Sequence, residues 1–182
     1  MSNKYKFKET NGAYFISFAT INWIDVFTRD EYFWIVIESL DFCRKNKSME
    51  IYGYCIMSNH IHLIFRFGNG DPSGLMRDFK GFTSKKLLKA IIENPQESRK
   101  EWMLWMMQRA GKKNSNVKNL QFWQQDNHPI EIWSLTVFEQ KLKYIHQNPV
   151  KSGFVIDAVD WKYSSARNYS NNDHTILEIH LN

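Results

Sequence analysis

Cysteine is scarce in this chain: Cys43 and Cys55 are the only two among 182 residues. Neither belongs to a CxxC pair, which excludes a disulfide-stapled scaffold and a cysteine-built zinc site. Isolated cysteines of this kind read as small buried apolar residues. Long hydrophobic runs are missing as well, so no stretch is suited to crossing a bilayer. The opening MSNKYKFKETNGAYF has neither the apolar core nor the small-residue cleavage site of a secretory signal. The expected location is therefore the cytoplasm, with no membrane partner. No glycine-rich phosphate loop is present, which argues against chemistry driven by nucleotide hydrolysis. Internal repeats and low-complexity tracts are also absent.

What is there is a globular composition. Hydrophobic residues make up 43% of the chain, aromatics 15% and charged residues 24%, which sets disorder aside and suits a single domain spanning residues 1–182. The net charge of +5 favours polyanionic partners. Its distribution is more telling than its total. Between Arg77 and Lys89 stand Arg77, Lys80, Lys85, Lys86 and Lys89 against Asp78 alone. Between Arg109 and Lys118 stand Arg109, Lys112, Lys113 and Lys118 with no acid. Each segment reads either as a solvated face or as a phosphate-binding surface.

The order of elements follows from periodicity. AYFISFATI (13–21) is a β-branched and aromatic run that predicts a buried strand. The next segment, 29–47, has Phe33, Ile37, Leu40 and Cys43 at helical spacing. MEIYGYCIM and HIHLIFRF are strand-like runs joined by the polar pair Ser58-Asn59, the signature of a hairpin. A second helix is expected over 72–94, with Gly81 a weak point and Pro95 its end. A shorter helix runs from about 97 into a polar loop ending near 119, and its Trp102, Trp105 and Met106 stripe reads as core packing. Residues 120–134 give no clear pattern. The last strong helix begins at the capping residue Ser134, carries Leu135, Phe138, Leu142 and Ile145 at 3-4-3 spacing, and exits at Pro149 and Gly153. Strand, helix, hairpin and further helices predict an α+β fold, an antiparallel sheet with helices packed on it.

His60 and His62 then stand out. Side chains two apart on a strand share a face, with Cα atoms roughly 6.5 to 7 Å apart, so both imidazoles can reach one ion while Ile61, Leu63 and Phe65 face the core. Locally hydrogen-bonded histidines would give the same pattern. Two imidazoles are too few ligands for an ion, and a third donor has to come from elsewhere in the chain. The last helix can supply it. Tyr144 and Asn148 lie one turn apart on one face, with Lys141 and Lys151 nearby. Because Asn148 precedes Pro149, it is expected to leave helical geometry, and Tyr144 could equally sit as an amphipathic residue at the core's edge.

With these residues in place, the chain resembles a known family. SNHIHLIFRF, DFKGFTSKKL, YIHQNPVKSGFV and DWKYSSARNY occur in the order and spacing of the single-tyrosine HUH transposases, and look most like the REP-associated tyrosine transposase branch of the IS200-like family. HUH denotes histidine, a bulky hydrophobic residue and histidine, here His60, Ile61 and His62. The resemblance runs from about residue 10 to about residue 170. Residues 94–119 are longer and more basic than that pattern and read as an insertion, and the tail 171–182 matches nothing in it.

The resemblance implies a ferredoxin-like HUH endonuclease fold and a DNA strand transferase. Tyr144 would attack a phosphodiester, giving a 5′-phosphotyrosine link and a free 3′-OH. His60, His62 and Asn148 would hold a divalent metal, Mg²⁺ or Mn²⁺. The substrate would be single-stranded DNA hairpins formed by palindromic repeats, and the protein a monomer or homodimer. Arg77, Lys80, Thr83, Ser84, Lys85, Lys86 and Lys141 are the residues expected to grip DNA, chiefly by positioning phosphates. The chemistry is consistent. A phenol is mostly protonated at neutral pH and needs a partner to act as a nucleophile, and covalent storage of the phosphodiester explains the lack of a nucleotide-binding loop. Two alternatives share the fold: a catalytically inactive hairpin-binding module, and a metal-dependent phosphoesterase that uses water in place of Tyr144.

Overall fold

The computed structural model describes residues 7–115 and 119–181. Lys118 of the second basic segment and the first six residues of the opening stretch lie outside the described residues. Among the described residues, four antiparallel strands form one sheet in the order β2-β3-β1-β4. They are β1 (Ala13–Ala19), β2 (Met49–Ile56), β3 (His60–Phe67) and the short β4 (Ile130–Ile132). Among the described residues, five α-helices accompany them: α1 (Asp30–Asn46), α2 (Pro72–Glu93), α3 (Lys100–Lys112), α4 (Leu135–Lys151) and α5 (Ala166–Asn171). The predicted α+β architecture is the observed one. Among the described residues, no helix is long and apolar enough to cross a membrane.

Alternation along the strands sorts their side chains into two layers. Tyr14, Ile16 and Phe18 of β1 and Ile61, Leu63 and Phe65 of β3 face the larger core, where Val36 and Ile37 of α1, Met76 and Phe79 of α2, and Met103 and Met107 of α3 meet them. Phe15, Cys55, Met57 and Ile64 face the other way, against Phe138 and Ile145 of α4. The histidine face of β3 is therefore the face that α4 covers. Register sets His62 opposite Ser17 of β1 and Cys55 of β2, with His60 opposite Ala19. A bulge interrupts the β2–β3 ladder between Ile51 and Gly53, and α4 crosses there. A Cβ on Gly53 would stand 2.8 Å from Leu142 Cδ1, so the missing side chain lets the helix seat close to the sheet.

Local chemistry explains most helix limits. Asp71 caps α2 by accepting from Gly74 N at 2.8 Å, with Pro72 in the first turn. Ser134 caps α4 through Val137 N. Three expectations are corrected. Trp102 and Trp105 are half-exposed, and Met103, Met107 and Gly111 are the buried positions of α3. Leu135 is also exposed, so Phe138 and Ile145 anchor α4. Asn148 stays helical despite preceding Pro149. Pro149 falls in the last turn, is itself buried, and follows a residue whose side chain is bonded to the sheet, so tertiary contacts offset the local preference.

After α4 the chain returns along the outer edge of β2. Ile56 N donates to Tyr163 O and Ser165 N to Tyr54 O, both at 2.9 Å, and His180 N donates to Ile51 O at 2.7 Å. The tail that lacked a sequence assignment is thus docked, with Leu177 and Ile179 buried. Cys43 and Cys55 are buried free thiols, and burial pushes both pKa values up.

Candidate active site at the β3–α4 junction

Four of the singled-out side chains converge where β3 begins under the middle of α4. The imidazoles of His60 and His62 lie edge to face, with ring centroids 4.7 Å apart. Tyr144 meets His62 edge-on at 5.2 Å, and Asn148 Nδ2 donates to His62 Nε2 at 3.1 Å. Tyr144 remains 44% exposed, whereas His62 is only 3% exposed, so the tyrosine stands on the solvent side of a buried imidazole. Phe15 completes the floor. Its ring stacks on His62 at 5.7 Å and meets Tyr144 edge-on at 5.9 Å. Lys141 Nζ lies over that ring, 5.2 Å from the centroid, which holds a cation beside the tyrosine.

Burial disfavours the charged form of both imidazoles. It lowers the His62 pKa to about 3, with His60 adding to the effect. Burial also lowers His60, against opposing contributions from the Asn148 carboxamide and the Asp25 carboxylate. A neutral imidazole keeps one lone pair for a ligand. For His60, the surroundings select which one. Asn59 Nδ2 donates to Asp25 Oδ1 at 2.9 Å, which turns Asn59 Oδ1 toward His60 Nδ1 at 2.7 Å. Ser58 Oγ donates to the same Asp25 oxygen at 2.6 Å. Nδ1 of His60 is thereby the protonated nitrogen and Nε2 carries the lone pair, the arrangement by which an outer partner orients a metal ligand.

The donor set fits a divalent cation. Among the described residues, no group of three or more His, Cys, Asp and Glu side chains gathers at one point, so a third protein donor would have to be an oxygen of another kind. Asn148 Oδ1 is buried without a hydrogen-bond partner, as is His62 Nδ1. An orphaned buried carbonyl beside two neutral imidazoles is costly unless something meets it. If an ion turned the Asn148 carboxamide so that its oxygen replaced Nδ2 and released the His62 Nε2 lone pair, two nitrogens and an amide oxygen would leave coordination positions for substrate oxygens.

The remaining side chains expected to grip DNA divide. Lys80 is engaged within the protein. Its ammonium donates to Gln124 O at 2.6 Å, Gln125 O at 3.2 Å and Asn127 Oδ1 at 2.9 Å, and burial lowers its pKa to about 8. Thr83 is fully buried; its hydroxyl donates to Phe79 O and accepts from Trp123 Nε1. Both tie α2 to the connector that follows α3 and act as internal struts in this structure. Arg77, Lys85 and Lys86 are exposed on α2, and Ser84 is half-buried. Asn59, Asp25 and Phe15 were missed by sequence reasoning. Of these only Asn59, polar and adjacent to the histidine pair, carried a signal.

Against this geometry the comparisons with known proteins are informative. The curated proteins gave no significant match. A solved structure of a REP-associated tyrosine transposase bound to a REP hairpin superposes with a TM-score of 0.67 at 18% identity, covering 100% of each chain. At that identity the likeness shows the fold. A chain from Deinococcus radiodurans assigned as a transposase covers 81% of this chain and 95% of its own at 14% identity, with a TM-score of 0.46, a similarity too weak to build on. Residues 10–121, well over half of the sequence and including the histidine pair, match the family described as transposase IS200 like, and the chain belongs to that family of DNA transposases.

Proposed function

We propose that this transposase cleaves and rejoins single-stranded DNA at hairpins through a 5′-phosphotyrosine intermediate on Tyr144. The observation that carries the reading is the meeting of Tyr144 with His62 at 5.2 Å, beside His60 and the unpartnered Asn148 oxygen. His60, His62 and Asn148 would hold the divalent ion, Mg²⁺ or Mn²⁺. When bound, such an ion offsets negative charge on the phosphate oxygens and polarises phosphorus. The hairpin as substrate is supported by the REP hairpin held in the structure of similar fold.

The chain's own groups account for the steps. Lys141 draws a phosphate toward the exposed edge of Tyr144, while Phe15 and the buried His62 keep water from its inner side. The Tyr144 oxygen attacks phosphorus, the Oη–P bond forms and the P–O3′ bond breaks. The phenolic proton leaves through solvent, and the 3′ oxygen takes up a proton as it departs. Attack by a second 3′-OH on the phosphotyrosine reverses the exchange and restores the phenol. Phosphodiester bonds are conserved throughout, so no nucleotide is consumed.

The test incubates the protein with a hairpin oligonucleotide from DNA flanking its own gene, in Mg²⁺ or Mn²⁺, and looks for a protein–DNA band that survives denaturation. The wild type should give the band. Tyr144→Phe should lose it while binding the hairpin unchanged, and His60→Ala should lose it as well. A free 5′-phosphate with no attached protein would assign the reaction to water, and no cleavage in either metal would leave a hairpin-binding module.

A further inference from the structure

His146 stands between Tyr144 and Asn148 in the sequence of α4, and the reaction above gives it no part. At about 100° per residue it projects from the opposite flank of the helix. The seat between the two flanks is apolar. Phe138, Ile145 and Pro149 are buried there, and Leu142 packs where Gly53 leaves room on β2. Tyr144, Asn148 and Lys141 lie on the side of β3 and β1, against His62 and Phe15. His146 lies on the side of the outer edge of β2.

What it meets there is itself held firmly. His146 Nε2 is 2.9 Å from Ser165 Oγ, and in either tautomer the ring and the hydroxyl are bonded, one donating and the other accepting. Ser165 is fully buried and clamped to one residue of β2. Its N donates to Tyr54 O at 2.9 Å, and its Oγ accepts from Tyr54 N at 3.0 Å. Tyr169 closes the outer side: its ring is 5.6 Å from that of His146, and its hydroxyl donates to Tyr52 O at 2.8 Å. One hydroxyl thus bonds the far flank of α4 to the main chain of the sheet.

Two hydrogen bonds therefore control the roll of α4 about its own axis, one from each flank. They are Asn148 Nδ2 to His62 Nε2 at 3.1 Å and the His146–Ser165 pair at 2.9 Å. Apolar contacts in the seat are non-directional and resist rolling weakly, whereas hydrogen bonds have a preferred geometry. The Asn148 bond is given up if its carboxamide turns its oxygen toward an ion. The His146 bond is not, because it lies on the other flank. We propose that His146 is a positioning residue, whose bond to Ser165 fixes the roll of α4 so that Tyr144 keeps its place beside His62 while Asn148 changes partner. This rests on the strand-cleavage reading for the use made of Tyr144. The same bond joins the two late motifs, YIHQNPV and DWKYSS, so that the second aims the first.

The test compares His146→Leu, which fills the space without a polar atom, with His146→Gln, whose carboxamide offers a donor and an acceptor near the position of Nε2. In His146→Leu the Ser165 hydroxyl still has Tyr54 O at 3.3 Å to receive its proton, and thermal melting checks that the variants fold. Single-turnover cleavage at saturating hairpin should fall by up to about 100-fold in His146→Leu, the scale of a misplacement of about 1 Å, with hairpin affinity in EDTA unchanged. His146→Gln should cleave at close to the wild-type rate. The double variant His146→Leu/Ser165→Ala should be no slower than Ser165→Ala, since both act through one bond. A readout independent of cleavage is amide hydrogen exchange in the metal-free protein. Across α4 it should quicken by up to about tenfold in His146→Leu, as for the loss of one hydrogen bond, and not in His146→Gln, with α1 and α2 unchanged in both. Wild-type cleavage or wild-type exchange in His146→Leu, equal losses in His146→Leu and His146→Gln, or a hairpin affinity that falls with the rate would overturn the inference. If the wild type forms no adduct, the tyrosine reading fails by itself, and the exchange comparison alone decides whether His146 holds α4.

Discussion

Asn59 presents its side-chain oxygen to His60 Nδ1 at 2.7 Å because its amide nitrogen is held by Asp25 at 2.9 Å. The imidazole is thereby locked in one tautomer before any ligand arrives. Asn59→Ala should weaken Mn²⁺ binding 10- to 100-fold, the usual effect of losing an outer-shell partner, and Asp25→Ala should do the same less severely. A metal titration followed by calorimetry checks this. Unchanged affinity in both variants would remove the relay from the site.

Glu97 gives the fold an acid-sensitive tie. Its buried carboxylate accepts from Arg99 Nε at 2.9 Å and Arg29 Nε at 3.3 Å, and these bonds, Arg99 first, lower its pKa from 4.5 to about 2. A depressed folded-state pKa contributes stability that is fully present above about 4.5 and is lost as pH falls toward 2. With each guanidinium about a third exposed, the contribution is on the order of 2 kcal/mol. Urea unfolding at pH 7, 4 and 2.5 should show that loss in the wild type and a flatter profile in Glu97→Gln.

Lys80 and its neighbours on α2 should separate cleanly. Lys80→Met removes the tie to Gln124, Gln125 and Asn127 and should lower the melting temperature. Lys85→Gln/Lys86→Gln touches only exposed side chains. It should leave melting unchanged and reduce the slope of log affinity against log salt by up to about 0.7 to 0.9 for each phosphate no longer neutralised. The outcome that counts against this division is a salt slope altered by Lys80→Met with no change in melting.

Gly111 lets the connector lie against α3. A Cβ there would stand 2.3 Å from the backbone oxygen of Asn119, at the point where Gln121 N donates to Met107 O at 3.0 Å. Main chain cannot swing aside as a side-chain tip can. Gly111→Ala should cost about 1 to 3 kcal/mol, measured by denaturant unfolding. Gly81→Ala, with open space around the added atom, should be neutral or stabilising.

Much of the site's framework was legible because it rests on periodicity. The alternation of Ile61, Leu63 and Phe65 with His60 and His62 placed the imidazoles on one face, and the four-residue step from Tyr144 to Asn148 placed both on one side of α4. Packing decided what periodicity leaves open. Trp102 and Trp105 share helical spacing with Met103 and Met107, and only the docked helix shows which pair faces the core. Lys80 and Lys85 look alike in a basic run, yet one is committed to the connector and the other faces solvent. Three-residue β4 is too short to leave a pattern, and Phe15, Trp23 and Asp25 reach the histidines through strand pairing and turns that no local signal encodes.

The returning segment 163–165 and His180 spend the outer backbone groups of β2 on the protein itself, and β4 at the other border offers only three residues. Among the described residues the sheet therefore presents little template for strand addition. A visiting peptide or a second copy has few main-chain groups to zip onto. A polynucleotide has to be met by side chains and helix surfaces, which leaves substitutions free to retune what is grasped without disturbing the pleated framework beneath.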